Sequence, residues 1–274
     1  FLHINLLNDK EALKRYKQFV EPESGPLMDF AKASLYKETG NTEKAISTLE
    51  SNPSLGAFPY LNFLLGELKL ARMDKDATTY FRSYIKSFKG NSYVKAAYQK
   101  TAWQALLITN DENAYRNIIT SINTVGNTML DEDKAAQKEY ESGEIPNKVL
   151  LKARLQFDGG YYQDALKTLI SSKKDHVASE EEQLEFTYRL ARIHDELGNN
   201  SEAISYYKMT MESGASSKRY FAANSSLMLA LLYEKSNQKE KALKAFKNCS
   251  EFNNSEYRNS INQKAKAGIL RLSN

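Results

Sequence analysis

The chain has 274 residues, 41% of them apolar and 26% charged, enough for a packed core and too apolar for a disordered chain. With only 12 Gly and 5 Pro, long helices are favoured over many tight turns, and the single Cys excludes an internal disulfide framework or a four-Cys zinc module. Lys and Arg number 38 against 34 Asp and Glu, a net charge of +4 that does not point to nucleic acid, and no run of apolar residues is long enough to cross a membrane.

The chain opens at Phe1, and the segment Phe1 to Leu7 is too short and too polar for a signal peptide. Ala12, Tyr16 and Phe19 match the second helix of a helical hairpin whose first helix would precede Phe1. The repeat phase therefore leads one to expect that the chain is the C-terminal part of a longer protein.

Six comparable hairpin patterns follow in order. Ala33 and Tyr36 precede a turn at Gly40, then Ala45 and Leu49. Leu64, Leu65 and Leu68 precede Arg72, then Ala77 and Phe81. Ala102, Trp103 and Leu106 precede Asn110, then Tyr115 and Ile119. A surplus segment comes next, with Gly126, a short polar helix capped by Asp131, and a turn through Gly143 and Pro146. Ala153 and Phe157 precede Gly160, then Ala165 and Leu169. Leu190, Ala191 and His194 precede Gly198, then Ser201 as a cap, Ala203 and Tyr207. Glu180, Glu181 and Glu182 precede a helix from Gln183 and suit its positive end. Leu229, Ala230 and Tyr233 precede Asn237, then Ala242 and Phe246. Residues 257–272 carry Ile261, Ala265, Ile269 and Leu272 on one face, as a terminal capping helix would.

Small residues at Ala191 and Ala203 let two helices approach closely, and large ones at Tyr207 and Phe246 fill the space between hairpins. A residue that tolerates positive φ ends each first helix. This is the pattern of the tetratricopeptide repeat, and the expected fold is an all-α, right-handed α-solenoid of about six hairpins with a C-terminal capping helix. Marker Ala spacings of 32, 38 and 39 residues (45 to 77, 165 to 203, 203 to 242) predict helices often longer than the repeat norm. Tyr115 and Ala165 are 50 residues apart, too far for one hairpin. The expected organisation is therefore residues 1–125, an irregular connection at 126–146, and residues 147–274, all within one continuous solenoid.

A narrower resemblance rests on four segments: 97–103; 141–162, with Gly143-Glu144-Ile145-Pro146 and Asp158-Gly159-Gly160; 220–224; and 259–268. In these the chain resembles the C-terminal half of a family of tetratricopeptide proteins from Gram-negative, gut-dwelling bacteria. More distantly it is similar to eukaryotic tetratricopeptide proteins associated with the mitochondrial outer membrane and inclusion clearance. The resemblance implies the solenoid fold and a periplasmic or cell-envelope location, and it brings no catalytic residues to carry over.

Chemical motifs were sought at each cluster. His3, His176 and His194 have no second His or Cys at metal-ligand spacing, and His194 fits a packing position. Cys249 falls on the inner face of a second helix beside Ala242 and Phe246, as a small buried hydrophobe. Asp158-Gly159-Gly160 lacks the Lys and hydroxyl residue of a phosphate loop, and Asp131-Glu132-Asp133 fails the EF-hand spacing and reads as helix capping. Lys235, Lys239, Lys241, Lys244 and Lys247 alternate with Glu234, Glu240 and Glu251, as on a solvated face. No catalytic frame, cofactor site or metal site is expected.

In such solenoids the first helices line the concave surface. Counting back from the turns places Asn147, Leu150, Arg154 and Phe157, then Glu185, Tyr188, Arg192 and Asp195, then Asn224, Leu227, Leu231 and Glu234 on that face. Arginine forks beside apolar residues suit a peptide ligand carrying a carboxylate. The clamp that grips chaperone C-termini uses Lys and Asn where this chain has Tyr188 and Arg192, or Leu150 and Arg154, so that mode is not expected. The function expected is a non-catalytic protein- or peptide-binding scaffold. The alternatives are a self-assembling structural solenoid and a small-molecule-binding or enzyme-like module using the groove.

Overall fold

A computed structural model describes residues 10–172, 177 and 179–273. His3 and His176 lie outside the described residues, as does the side chain of Ala12. In chain order the helices are α1 (Lys10–Val20), α2 (Pro26–Glu38), α3 (Thr42–Glu50), α4 (Tyr60–Ala71), α5 (Ala77–Ser87), α6 (Val94–Leu107), α7 (Glu112–Thr120) and α8 (Asp131–Ser142). They continue as α9 (Lys148–Asp158), α10 (Tyr162–Ser171), α11 (Glu180–Glu196), α12 (Asn200–Ser213), α13 (Phe221–Lys235), α14 (Lys239–Asn248) and α15 (Arg258–Ser273). Short 3-10 turns occupy Pro53–Gly56 and Ser121–Thr124. The architecture is the expected one, an all-α succession of paired helices in the manner of a tetratricopeptide α-solenoid, with α15 as cap.

One local device builds four of the hairpin turns. At Gly40, Gly160, Gly198 and Asn237 the backbone turns left-handed, with φ of 74, 80, 76 and 56°. In each, the next residue's N–H reaches back five residues to close the helix end: Asn41 to Tyr36 O, Tyr161 to Gln156 O, Asn199 to His194 O and Gln238 to Tyr233 O, at 2.7–2.9 Å. Asn237 thus does the work of glycine, since Asn tolerates this region better than other side chains. In the second hairpin the spacing points to Arg72, but the left-handed residue is Met73 (φ 65°), because α4 runs through Ala71 and Arg72 keeps helical angles. Asp74 N–H then bonds Lys69 O at 2.9 Å, the same closure one residue later.

Three capping expectations are corrected. Asp131 is the first residue of α8 rather than its cap, the cap position being Leu130. Ser201 lies inside α12, where its hydroxyl donates to Glu202 at 2.7 Å. α11 starts three residues before Gln183, at Glu180, behind a capping box in which Ser179 accepts from Glu182 N–H and Glu182 accepts from Ser179 N–H. At the chain start, Phe19 of α1 is exposed and Val20 is the buried residue.

Helices form two compact units: residues 1–148 with 155–161, and residues 149–154 with 162–274. In the first, α2 to α7 pair successively around Ala33, Ala45, Leu61, Leu65, Phe81, Ala97 and Leu106. An aromatic run from Phe30 through Tyr60 and Phe63 to Tyr93 and Tyr84 holds neighbouring hairpins together, with centroids 5.0–5.7 Å apart. Gly66 leaves room for Phe81, whose ring comes within 2.7–3.0 Å of where a Cβ would stand. Residues 155–161 complete this unit: Thr42 donates to the Gly159 carbonyl, and the Tyr161 hydroxyl donates to Glu43 at 2.7 Å.

In the second unit, α11 pairs with α12, α13 with α14, and α15 lies against α13 and α14. The core runs through Ala191, Ala203, Tyr207, Ala223, Ala230, Ala242, Phe246, Ile261 and Ala265. The small residues allow the close helix approach predicted for them, and Tyr207 and Phe246 fill the spaces left. Cys249 is buried here as expected; burial pushes its thiol up to about 11, away from reactivity.

Candidate functional site

The first helices of the second unit, α11 and α13, carry most of the residues expected on a binding face. The i, i+4, i+7 spacing of Tyr188, Arg192 and Asp195 sets them on one side of α11. The hub is the Tyr188 hydroxyl, which accepts from Arg192 Nη1 at 3.1 Å and from Asn224 Nδ2 of α13 at 2.6 Å. The Tyr207 hydroxyl of α12 donates to Asp195 at 2.8 Å. Glu185 takes the guanidinium of Arg189, one helical turn on, with Nε at 2.8 Å.

Burial is outweighed at Arg192 and prevails at the two carboxyls beside it. It opposes the charge on Arg192, but Tyr188, Tyr207 and Glu196 around it outweigh that and keep its pKa above the ordinary value. The carboxyls of Asp195 and Glu196 are both pushed up by burial, with the Tyr207 hydroxyl and Arg192 opposing at Asp195 and with Arg192 and Lys235 opposing at Glu196. A carboxyl raised in the folded state favours folding while both states are protonated, and that advantage is lost as pH rises through the folded value. Asp195→Asn, which keeps an acceptor for Tyr207, is therefore expected to gain stability relative to the natural chain between about pH 4 and neutrality. Urea midpoints of the two chains at pH 3 and pH 7 check this: the gap widens at pH 7 in the expected case.

Tyr188 itself is buried at 3% exposure, clustered with Leu184 and Phe221, so only the edge of its network reaches the surface. The remaining expected residues divide between core and surface. Leu227 is in the core at 1% exposure, and Leu150 is buried at 3%. Leu231 is exposed at 40%, and Arg154 is also exposed. Glu234 receives both Nε and Nη2 of Arg271 from the cap at 2.6 Å. Asn147 and Phe157 are half-buried residues of the first unit. His194 is half-buried and stacks on Tyr206 with centroids 5.5 Å apart, a packing role at the surface.

The hairpin count alone missed Arg189, Glu196 and Tyr220. Arg189 was legible as the i+4 partner of Glu185. Tyr220 stands edge-on to Tyr188 at 5.6 Å and faces the charges of Arg189 and Arg154; it precedes α13 and so falls outside helical counting.

Among the described residues no group of three or more His, Cys, Asp or Glu is placed to hold a metal ion, and no helix is long and apolar enough to cross a membrane. Family profiles described as "Tetratricopeptide repeat" match residues 30–51 and 223–256, and a second such profile matches 187–217. These are α2–α3, α13–α14 and α11–α12, three of the hairpins closed by a left-handed turn residue. No curated protein matches the chain. Among solved structures, the TPR domain of P58(IPK) is similar at 14% identity, over 99% of this chain and 76% of that one, with a TM-score of 0.37. The matched repeats and the paired helices give the chain a tetratricopeptide-repeat fold. The narrower resemblance to bacterial and mitochondrial-surface proteins is repeated by none of these matches.

Proposed function

From the tetratricopeptide-repeat fold as premise, we propose that the chain is a non-catalytic scaffold that binds a protein or peptide segment along the first-helix face of its second unit. The observation that carries this is the Tyr188 hub, where α11 and α13 are tied by Arg192 and Asn224 through one phenol oxygen. A guanidinium held in place on a rigid helix meets a carboxylate without first having to be ordered, which favours affinity. Exposed Leu231 offers an apolar contact on α13, and exposed Arg154 a second cationic one. A segment with an acidic group and a neighbouring apolar side chain fits this set. An envelope location is supported by the resemblance of segments 141–162 and 259–268 to the bacterial family.

The test is selection from a displayed library of random peptides, followed by titration of the enriched peptides. Arg154→Glu with Leu231→Glu changes two exposed positions and is expected to weaken binding at least tenfold with the melting temperature unchanged. A library that yields no binder, or binders indifferent to the pair, would count against the reading.

A further inference from the structure

Helix α8 is attached to the first unit in a way that differs from every hairpin helix beside it. Its sequence, DEDKAAQKEYES, is almost wholly polar, and the residues it buries are Asp133 and Ala136. The neighbouring α6 buries Ala96, Ala97, Ala102, Trp103 and Leu106. What holds α8 is a row of polar contacts with α6 and its surroundings.

The row has two anchors. Asp133 is fully buried; its carboxylate accepts from the N–H of Tyr93 at 2.7 Å and of Ala96 at 3.1 Å. These donors open α6, whose own cap position, Tyr93, provides no side-chain bond. Six residues on, Glu139 accepts from Gln99 Nε2 at 2.7 Å, Trp103 Nε1 at 2.8 Å and the Tyr115 hydroxyl at 2.9 Å. Between the anchors Lys95 Nζ donates to Gln137 at 2.9 Å. Lys95, Gln99 and Trp103 lie a turn apart along α6 and present one stripe of donors to α8. Gly126 and Gly143, both left-handed at φ 60 and 67°, bracket the helix.

We propose that this face of α6 is a docking site for an acidic helix, and that α8 is its built-in occupant. The partner it fits is a helical segment with an Asp in its first turn and a Glu six residues later, which would displace α8 by offering the same acceptors. A helix held by hydrogen bonds more than by apolar burial is exchangeable, because a competitor returns the hydrogen bonds in kind. Tethering gives α8 the advantage of a high local concentration, so the site is closed to weak competitors. The inference concerns the first unit and stands or falls apart from the peptide face on α11 and α13.

Two measurements test it. In the intact chain, amide hydrogen exchange of α8 is expected at least tenfold faster than that of α6 and α7, showing release without unfolding of the hairpin. In a variant with residues 127–145 replaced by a Gly/Ser linker, a fluorescent peptide of residues 129–143 is expected to bind saturably. Asp133→Asn or Glu139→Gln in the peptide should weaken that binding at least tenfold, and the intact chain should not bind the peptide at concentrations that saturate the variant. Exchange of α8 in step with α6 and α7 would overturn the proposal, as would loss of helical signal beyond α8 itself in the linker variant. So would a folded variant that leaves the peptide unbound, or binding indifferent to both substitutions.

Discussion

Phe246→Ala is expected to lower the stability of the chain by about 3–5 kcal/mol, the range for truncating a buried aromatic ring. Phe246 is 1% exposed and packs in the core between α14 and the cap. Its ring atoms come within 2.4–2.6 Å of where a Cβ on Gly268 would stand. Glycine at 268 therefore fits a ring that α14 pushes into the cap, and with the ring gone it has no side chain to fill the space. The cavity lies between helices whose spacing is set by Ala242 and Ala265, both buried and with little freedom to collapse. Urea unfolding followed by circular dichroism measures the loss. Leu270→Ala on the exposed side of the cap helix α15 is the control and should move stability by less than about 0.5 kcal/mol. A Phe246→Ala loss below about 1.5 kcal/mol would mean that the cap does not depend on the ring.

The second large effect separates two aspartates two residues apart. Asp133→Ala is expected to destabilise the chain by about 2–4 kcal/mol, since it leaves the N–H groups of Tyr93 and Ala96 without their acceptor and opens a gap under α8. Asp131→Ala should leave the urea midpoint in place, because Asp131 is exposed and its contact is to Lys134 of its own helix. Burial pushes the Asp133 carboxyl up while the backbone donors at Ala96, Tyr93 and Lys95 oppose it. Asp133→Asn keeps one acceptor and should fall between the two. Equal midpoints for Asp133→Ala and Asp131→Ala would remove Asp133 as the cap of α6.

These two results also mark what could be read from the residues. The hairpins were legible because their signal is local. A small residue at each helix crossing and a residue tolerant of positive φ at each turn recur with the chain, and Gly40, Gly160, Gly198 and Asn237 all carry it. Even the departure at Met73 is one position in a turn whose existence was clear. Asp133 shows the opposite case. A run of acidic residues before a helix reads as that helix's own cap, and nothing within the run says that its third member caps a helix 37 residues earlier. The same holds for Glu139, whose three donors come from two helices.

On the candidate face, helical counting found Tyr188, Arg192 and Asn224, which share one hydroxyl, and Asp195, which bonds Tyr207 and feels the charge of Arg192. It could not separate Leu231, which reaches solvent, from Leu227, which fills the core. Both have the same chemistry, and only tertiary packing decides between them. Glu234 was readable as a charged residue of α13 but not as the partner of Arg271, because that pairing depends on where the cap lies.

Binding by the first helices of the second unit is read most directly from the hydrogen-exchange footprint of a bound peptide from the library selection. Slowed exchange is expected along α11 and α13, centred on Tyr188, Arg192 and Asn224, with α12 and α14 unchanged. Slowed exchange on α12 and α14 with α11 and α13 unchanged would contradict it.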